Sequence, residues 1–289
     1  MCRENPMRIR AALSASIFAL FFLFTPVPPA HAATVLEQIG EFAAPEANQG
    51  VGVDDRYFYA VGDRVIVKYD KKTGTPAGRW QGSKDGPIVH LDSAFVMDGK
   101  IYCAHSNYPG WPMTSSLEIW DAGSLQPVGN HSFGINWGSL TWADFYNGHW
   151  WMTFANYDIP YGPGKTPYGH KAATQMVKFT PDFRYVESWV MPRAILDKFE
   201  AMSNSGGSWG PDGFLYLTGH DPAEIYKMRL PKAGSTLELV ETIPMNIRGQ
   251  GIAWDRSERG VIYGIIRATA AERAVGGSHK VTVFRITEK

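Results

Sequence analysis

Apolar and polar positions change over in one recurring order along the chain. Each unit opens on small or polar residues, enters a short apolar run, turns at Gly or Asp, and resumes as an aromatic strand. Gln49-Gly50-Val51-Gly52-Val53 leads to Tyr57-Phe58-Tyr59, and Asp92-Ser93-Ala94-Phe95 leads through Asp98-Gly99 to Ile101-Tyr102. Ser139-Leu140-Thr141-Trp142 leads through Asn147-Gly148 to Trp150-Trp151, and Gly206-Gly207-Ser208-Trp209 through Asp212-Gly213 to Leu215-Tyr216. The last unit runs from Gly251-Ile252-Ala253-Trp254 through Gly260 to Ile262-Tyr263.

After each aromatic anchor comes a second, alternating segment: Val65 to Tyr69, Leu117 to Trp120, Met176 to Phe179, Glu224 to Lys227 and Val281 to Phe284. A period of two is the strand period. Third strands follow in several units, at Ala77 to Trp80, Arg184 to Trp189 and Leu237 to Ile243. A repeat of roughly 40 to 50 residues with about four strands is a propeller blade. The chain is therefore expected to be all-β, a five-bladed β-propeller over residues 33–289. Its last unit is short of an outer strand, and Thr34 to Phe42 predicts the strand that closes the ring and leaves no open edge. An open β-sandwich of similar strands would not repeat one motif five times.

Two segments depart from strand character. Pro192 to Met202 predicts a short helix with proline near its first turn. Asn156 to Gln175, rich in Tyr, Gly and Pro, predicts a long insertion of the kind that is functional or mobile.

At the N-terminus, Arg3, Arg8 and Arg10 precede an apolar run from Ala11 to Phe24, a proline-rich stretch, and Ala30-His31-Ala32. This is the pattern of a secretory signal peptide over residues 1–32. The apolar run is shorter than the about 20 residues a spanning helix needs, so a periplasmic or secreted protein with no membrane attachment after cleavage is expected. With 28 basic and 28 acidic residues the chain is near neutral, which argues against nucleic acid as a partner. Cys2 leaves with the signal, so Cys103 has no partner for an intramolecular disulfide. A small-molecule substrate or ligand and a monomeric state are the expectations.

Inner strands line a propeller's channel, so its chemistry converges from distant blades and leaves no linear motif. One mouth is expected to gather Gln49, His90, Asp92, Ser139, Asn204, Ser205, Arg248 and Gln250, with Gln49 and Gln250 as matched amides. The other is expected to gather His105, Asn107, Asn156, Asp158, His220, Asp221 and Arg267. Histidines beside carboxylates and arginine suit acid–base catalysis on an anionic substrate. His105, His220 and Asp221 are thus the expected catalytic residues; Gln49, His90, Asp92, Asn107, Asn156, Asn204, Arg248, Gln250 and Arg267 are the expected binding residues. Asn and Asp at such positions also serve as turn stabilisers, and the glutamines as backbone partners. His131, His149 and His279 are expected to be peripheral. No HExxH, paired Cys or EF-hand loop occurs, so no cofactor is expected; an axial Ca²⁺ held by carbonyls and carboxylates would leave no motif. No Gly-x-Ser-x-Gly occurs either.

Five segments resemble a group of exported bacterial propeller proteins labelled cycloisomerase-like. They are Asp85 to Leu91, Tyr102 to Pro109, Ser203 to Gly207, Leu217 to Asp221 and Gly249 to Asp255. The resemblance covers nearly all of residues 33–289 and implies intramolecular ring closure or opening, as in carboxymuconate-lactonising propellers, which have seven blades. Gly251 to Asp255 is also similar to the final blade of plant-type glutaminyl cyclases. That likeness implies five blades, pyroglutamate formation and an acidic residue near the axis; Gln49-Gly50 and Gln250-Gly251 hold amides where that family has Gly-Glu-Gly. The sequence thus favours a cycloisomerase-like or lactone-processing enzyme in which Arg248 or Arg267 holds a carboxylate. The alternative is a non-catalytic module binding a sugar or peptide through Tyr108, Trp111, Tyr157, Tyr161 and Tyr168.

Overall fold

A computed structural model describes Met1, residues 34–160 and residues 170–288. By its contacts the chain divides between Ala32 and Ala33. The expected signal peptide, together with Tyr161 and Tyr168, lies outside the described residues, and no described helix is long and apolar enough to cross a membrane.

Five four-stranded antiparallel sheets follow one another in sequence. The first contains β2 (Gly50–Val53), β3 (Tyr57–Gly62), β4 (Val65–Asp70) and β5 (Pro76–Gln81). The second contains β6 (His90–Met97), β7 (Lys100–Ser106), β8 (Ser115–Asp121) and β9 (Pro127–Gly134). The third contains β10 (Ser139–Tyr146), β11 (His149–Ala155), β12 (Gln175–Phe179) and β13 (Tyr185–Val190). The fourth contains β14 (Gly206–Trp209), β15 (Leu215–Thr218), β16 (Glu224–Arg229) and β17 (Glu238–Pro244). The fifth joins β18 (Ala253–Trp254), β19 (Val261–Ile266) and β20 (Lys280–Glu288) to β1 (Thr34–Ala43), in the order β1-β20-β19-β18. The chain is a five-bladed β-propeller, and its N-terminal strand closes the ring.

Consecutive apolar residues such as Phe58 and Tyr59 occur because each blade is buried on both faces. Alternation sends Phe58 and Ala60 into the seam with blade five, among Ala253, Val261 and Tyr263. Tyr59 and Val61 go into the seam with blade two, among Leu91, Ile101 and Trp120. The seams between blades two and three, three and four, and four and five have the same construction. Tight turns at Asp98-Gly99 and Asn147-Gly148, all four residues at positive φ, link inner strands to their partners. At the axis an added Cβ on Gly251 would lie 2.8 Å from the Gly50 Cα, so this crossing excludes any side chain.

The helix expected from Pro192 is α1 (Arg193–Leu196), which tightens into a 3-10 turn over Asp197–Phe199. It ends at Glu200, whose φ of 52° departs from helical geometry. A second helix, α2 (Ala270–Ala274), was not anticipated. It opens with a capping box in which Thr269 and Glu272 bond each other's backbone N–H groups.

Asn204 ties the ring together between blades three and four. Its Oδ1 accepts from Trp142 Nε1 at 2.7 Å, and its Nδ2 donates to the Gly206 and Thr218 carbonyls at 2.9 and 2.7 Å. All of these groups are buried. Replacing Asn204 by Ala orphans the Trp142 N–H and two acceptors, so a loss of ~2–4 kcal/mol is expected in urea unfolding.

Candidate functional site

Antiparallel pairing decides where the candidate residues meet. His90, which opens β6, pairs with Ser106, which ends β7; Ser139 pairs with Ala155, and Gly206 with Thr218. The end of each second strand therefore lies beside the start of the first strand of its blade. The two groups assigned to opposite mouths share one mouth. This corrects the expectation of two mouths: each hairpin turns the chain back, so the second strand ends where the first begins.

At that mouth the acidic centre is Asp92. Its β6 segment carries a register shift between Leu91 and Ala94, a bulge that re-aims the side chain. Asp92 is 4% exposed, and its Oδ1 has no hydrogen-bond partner among the described residues. Burial raises its pKa to about 7; Asp63 reinforces the rise, while His90 and Arg267 oppose it. His90 Nε2 lies 3.7 Å from Asp92 Oδ2, and His90 Nδ1 donates to Asp63 Oδ1 at 2.9 Å. Burial alone would lower the His90 pKa, but Asp63 and Asp92 outweigh it and the net shift is upward. Asp63 is held below the usual carboxylate range because His90 and Gln49 overcome its own desolvation. Side-chain exposure climbs from 5% at Asp92 to 15% at His90 and 45% at Asp63.

Gln49 Nε2 donates to Asp63 Oδ1 at 2.7 Å, so this amide orients the outer carboxylate and is not paired with Gln250. Gln250 takes φ 64°, and its carbonyl accepts from Thr218 Oγ1 at 2.6 Å. The Tyr108 ring packs on His90 at 5.0 Å, and Tyr157 meets Tyr108 edge-on at 5.4 Å.

Arg267 supplies the positive charge. Its Nη2 donates to Asp221 Oδ1 at 2.6 Å and to the His220 carbonyl at 2.9 Å, while its buried Nε has no partner among the described residues. Asp221 is 71% exposed and also binds His220 Nδ1 at 2.5 Å. Burial, with the Arg267 charge, outweighs Asp221 and holds the His220 pKa below its ordinary value.

Several expected site residues have other partners. His105 Nε2 accepts from the Val89 N–H at 3.0 Å, which puts the ring proton on Nδ1, 2.9 Å from Ser116 Oγ. Both nitrogens are engaged, and burial followed by the His90 charge lowers the pKa to about 4. This neutral ring anchors the segment leading into His90 and has no nitrogen free to move a substrate proton. Asn107 bonds the Pro112 carbonyl and the Thr114 N–H, closing its own loop. Asn156 bonds the Trp137 and Ala173 carbonyls. Arg248 forks onto Glu272 at 2.5 and 2.7 Å and so holds α2 in place.

Asp63 is the member of the candidate site that the sequence did not single out. A signal existed: it directly follows β3, in the blade position that Asn107, Asn156 and Arg267 take after β7, β11 and β19. Among the described residues no group of three His, Cys, Asp or Glu converges to hold a metal ion. At the opposite end of the axis Asp144 is also buried, and burial raises its pKa; its Oδ1 has no partner among the described residues, but its Oδ2 accepts from Ser208, the Trp209 N–H and Arg256, whose charge opposes the rise. Beside Ser208 and Arg256 lies a cavity of only ≈ 10 Å³, also lined by Val53, Ala94, Ala143 and Ile252, with room for about one water.

No protein-family model matches the chain, and no curated protein sequence does. Among solved structures it is similar to a luciferin-regenerating enzyme, with a TM-score of 0.52 and 11% identity over 87% of this chain and 95% of that one. It is also similar to the PQQ-bound aldose sugar dehydrogenase of Streptomyces coelicolor, with a TM-score of 0.51 and 10% identity over 90% of this chain and 100% of that one. At such identities the likeness extends to the propeller fold alone.

Proposed function

We propose that the protein is an exported acid–base enzyme that closes or opens a ring in a small carboxylated substrate, of the lactone or muconate kind, at the mouth around Asp92. The observation that carries this reading is the buried Asp92 carboxyl, titrating near neutrality with one oxygen unpartnered. A general acid works best when its pKa lies near the working pH.

In ring closure a substrate carboxylate oxygen bonds to one carbon of a C=C. The π pair moves to the other carbon, which takes the proton from Asp92. Ring opening reverses both changes, and neither direction needs an oxidant or reductant. His90, with Asp63 at the solvent end, returns the proton to Asp92. Arg267 holds a second substrate carboxylate, which displaces the solvent-exposed Asp221.

The experiment is a turnover screen of purified protein against muconates, small carboxylated lactones and N-terminal glutaminyl peptides, with Arg267→Gln in parallel. Conversion of a carboxylated substrate with KM raised about 10-fold or more in Arg267→Gln is expected. The aromatic pair Tyr108 and Tyr157 beside His90 favours a second reading as a binding module. A ligand that raises Tm and is recovered unaltered would replace the enzyme reading with that one.

A further inference from the structure

Next to the acid–base centre, on the same face, blades one and five leave an open cleft of ≈ 490 Å³. Asp63, Arg64, Arg79, Arg273, His279 and Glu46 contribute its charged and titratable lining. The two carboxylates are already committed. Glu46 binds Tyr69 Oη at 2.7 Å and Arg79 at 2.5 Å, and Asp63 binds Gln49 and His90.

The remaining side chains are donors. Arg64 forms no ion pair among the described residues, and its Nε is buried without a hydrogen-bond partner. Three other arginines of this face are occupied: Arg79 by Glu46, Arg248 by Glu272 and Arg267 by Asp221. Arg273 gives one N–H to the Ala268 carbonyl and holds no carboxylate. His279, expected to be peripheral, is a buried wall of this cleft. Its Nδ1 accepts from the Ala268 N–H at 2.9 Å, so the ring proton sits on Nε2 as a further donor.

We infer that this cleft is an anion subsite, with Arg64 as its principal ligand and Arg273 and His279 as supporting donors. It takes a carboxylate or phosphate group, either free or as the distal arm of a molecule whose other end reaches Asp92. A guanidinium suits such a group because its N–H fork matches two oxygens at once. Burial of Nε without a partner leaves a donor whose desolvation an anion would offset. The site stands on its own geometry, independently of any reaction at Asp92.

The test is calorimetric titration of inorganic phosphate, and separately of malonate, into the purified full chain at low ionic strength. One saturable site is expected, weakened at least 10-fold in Arg64→Gln, with Tm moving by no more than about 2 °C because Arg64 holds no structural ion pair. Asp92→Asn is expected to leave anion binding within about twofold of wild type, so this site and the proposed chemistry fail separately. Tighter phosphate binding assigns a phosphoryl arm; tighter malonate binding assigns a carboxylate arm. No saturable binding of either anion, or binding that Arg64→Gln leaves intact, overturns the proposal.

Discussion

Asp92→Asn is expected to slow turnover sharply and to stabilise the fold at the same time. A carboxyl at about 7 in the folded protein ionises near 4 in the unfolded chain. Between those values the unfolded state holds fewer protons than the folded state, so folding loses stability as pH rises and the penalty is complete above pH 7. Its size is about 4 kcal/mol, reduced because His90 loses a favourable neighbour in the variant. At pH 8 the variant should melt roughly 5–10 °C above wild type, and at about pH 3, where the carboxyl is protonated in the folded state and largely so in the unfolded one, the gap should nearly close. Turnover should fall by about 10²–10⁴-fold, the contribution of a positioned general acid. Paired thermal scans and rates at the two pH values check both halves. A residue with only a structural role would lower Tm.

Removal of β1 should have the second large effect. Residues 34–43 pair along β20 from Thr34↔Glu288 to Ala43↔Lys280, with a shift between Gln38 and Gly40. Leu36 packs in the seam between blades four and five, and Phe42 in the seam between blades five and one, where it meets Phe58 at 5.0 Å. One strand thus supports both seams of the last blade. A chain beginning at Ala44 would expose the whole of β20 as an unpaired edge, the surface on which sheets associate. The expected result is a loss of cooperative unfolding above ~25 °C and concentration-dependent aggregation by light scattering, with recovery when a peptide of residues 34–43 is added. Two-state melting of the truncated chain near the wild-type Tm would contradict the closure described above.

Much of the ring was legible in the chain because each blade must bury both faces and turn tightly. Those demands print themselves locally, as Tyr57-Phe58-Tyr59 between polar flanks and as Asp98-Gly99 or Asn147-Gly148 at positive φ. The helix α2 was equally legible in principle, since Thr269 and Glu272 spell a capping box, but five residues carry too little periodicity to draw notice. The site was harder to read. His90, Asp92 and Arg267 were named from the sequence, yet no local pattern records that a hairpin brings the end of β7 back beside His90. His105 and Asn204 show the matching difficulty. Sequence marks them as polar residues at strand ends, and only their partners reveal that the first anchors Val89 while the second bonds Trp142 across blades. Asp63 was overlooked because blade one lacks the His-Ser-Asn and Phe-Ala-Asn strings that drew attention to blades two and three.

The protonation state of Asp92 is the point on which the proposed chemistry turns, and it can be read without a substrate. Infrared difference titration of the protonated carboxyl C=O band, with Asp92→Asn as the reference, isolates this side chain from the other carboxyls. A band lost with a midpoint near pH 7 is the expected result. A midpoint near pH 4, the value of a solvated aspartate, would contradict an axial acid held ready at neutral pH.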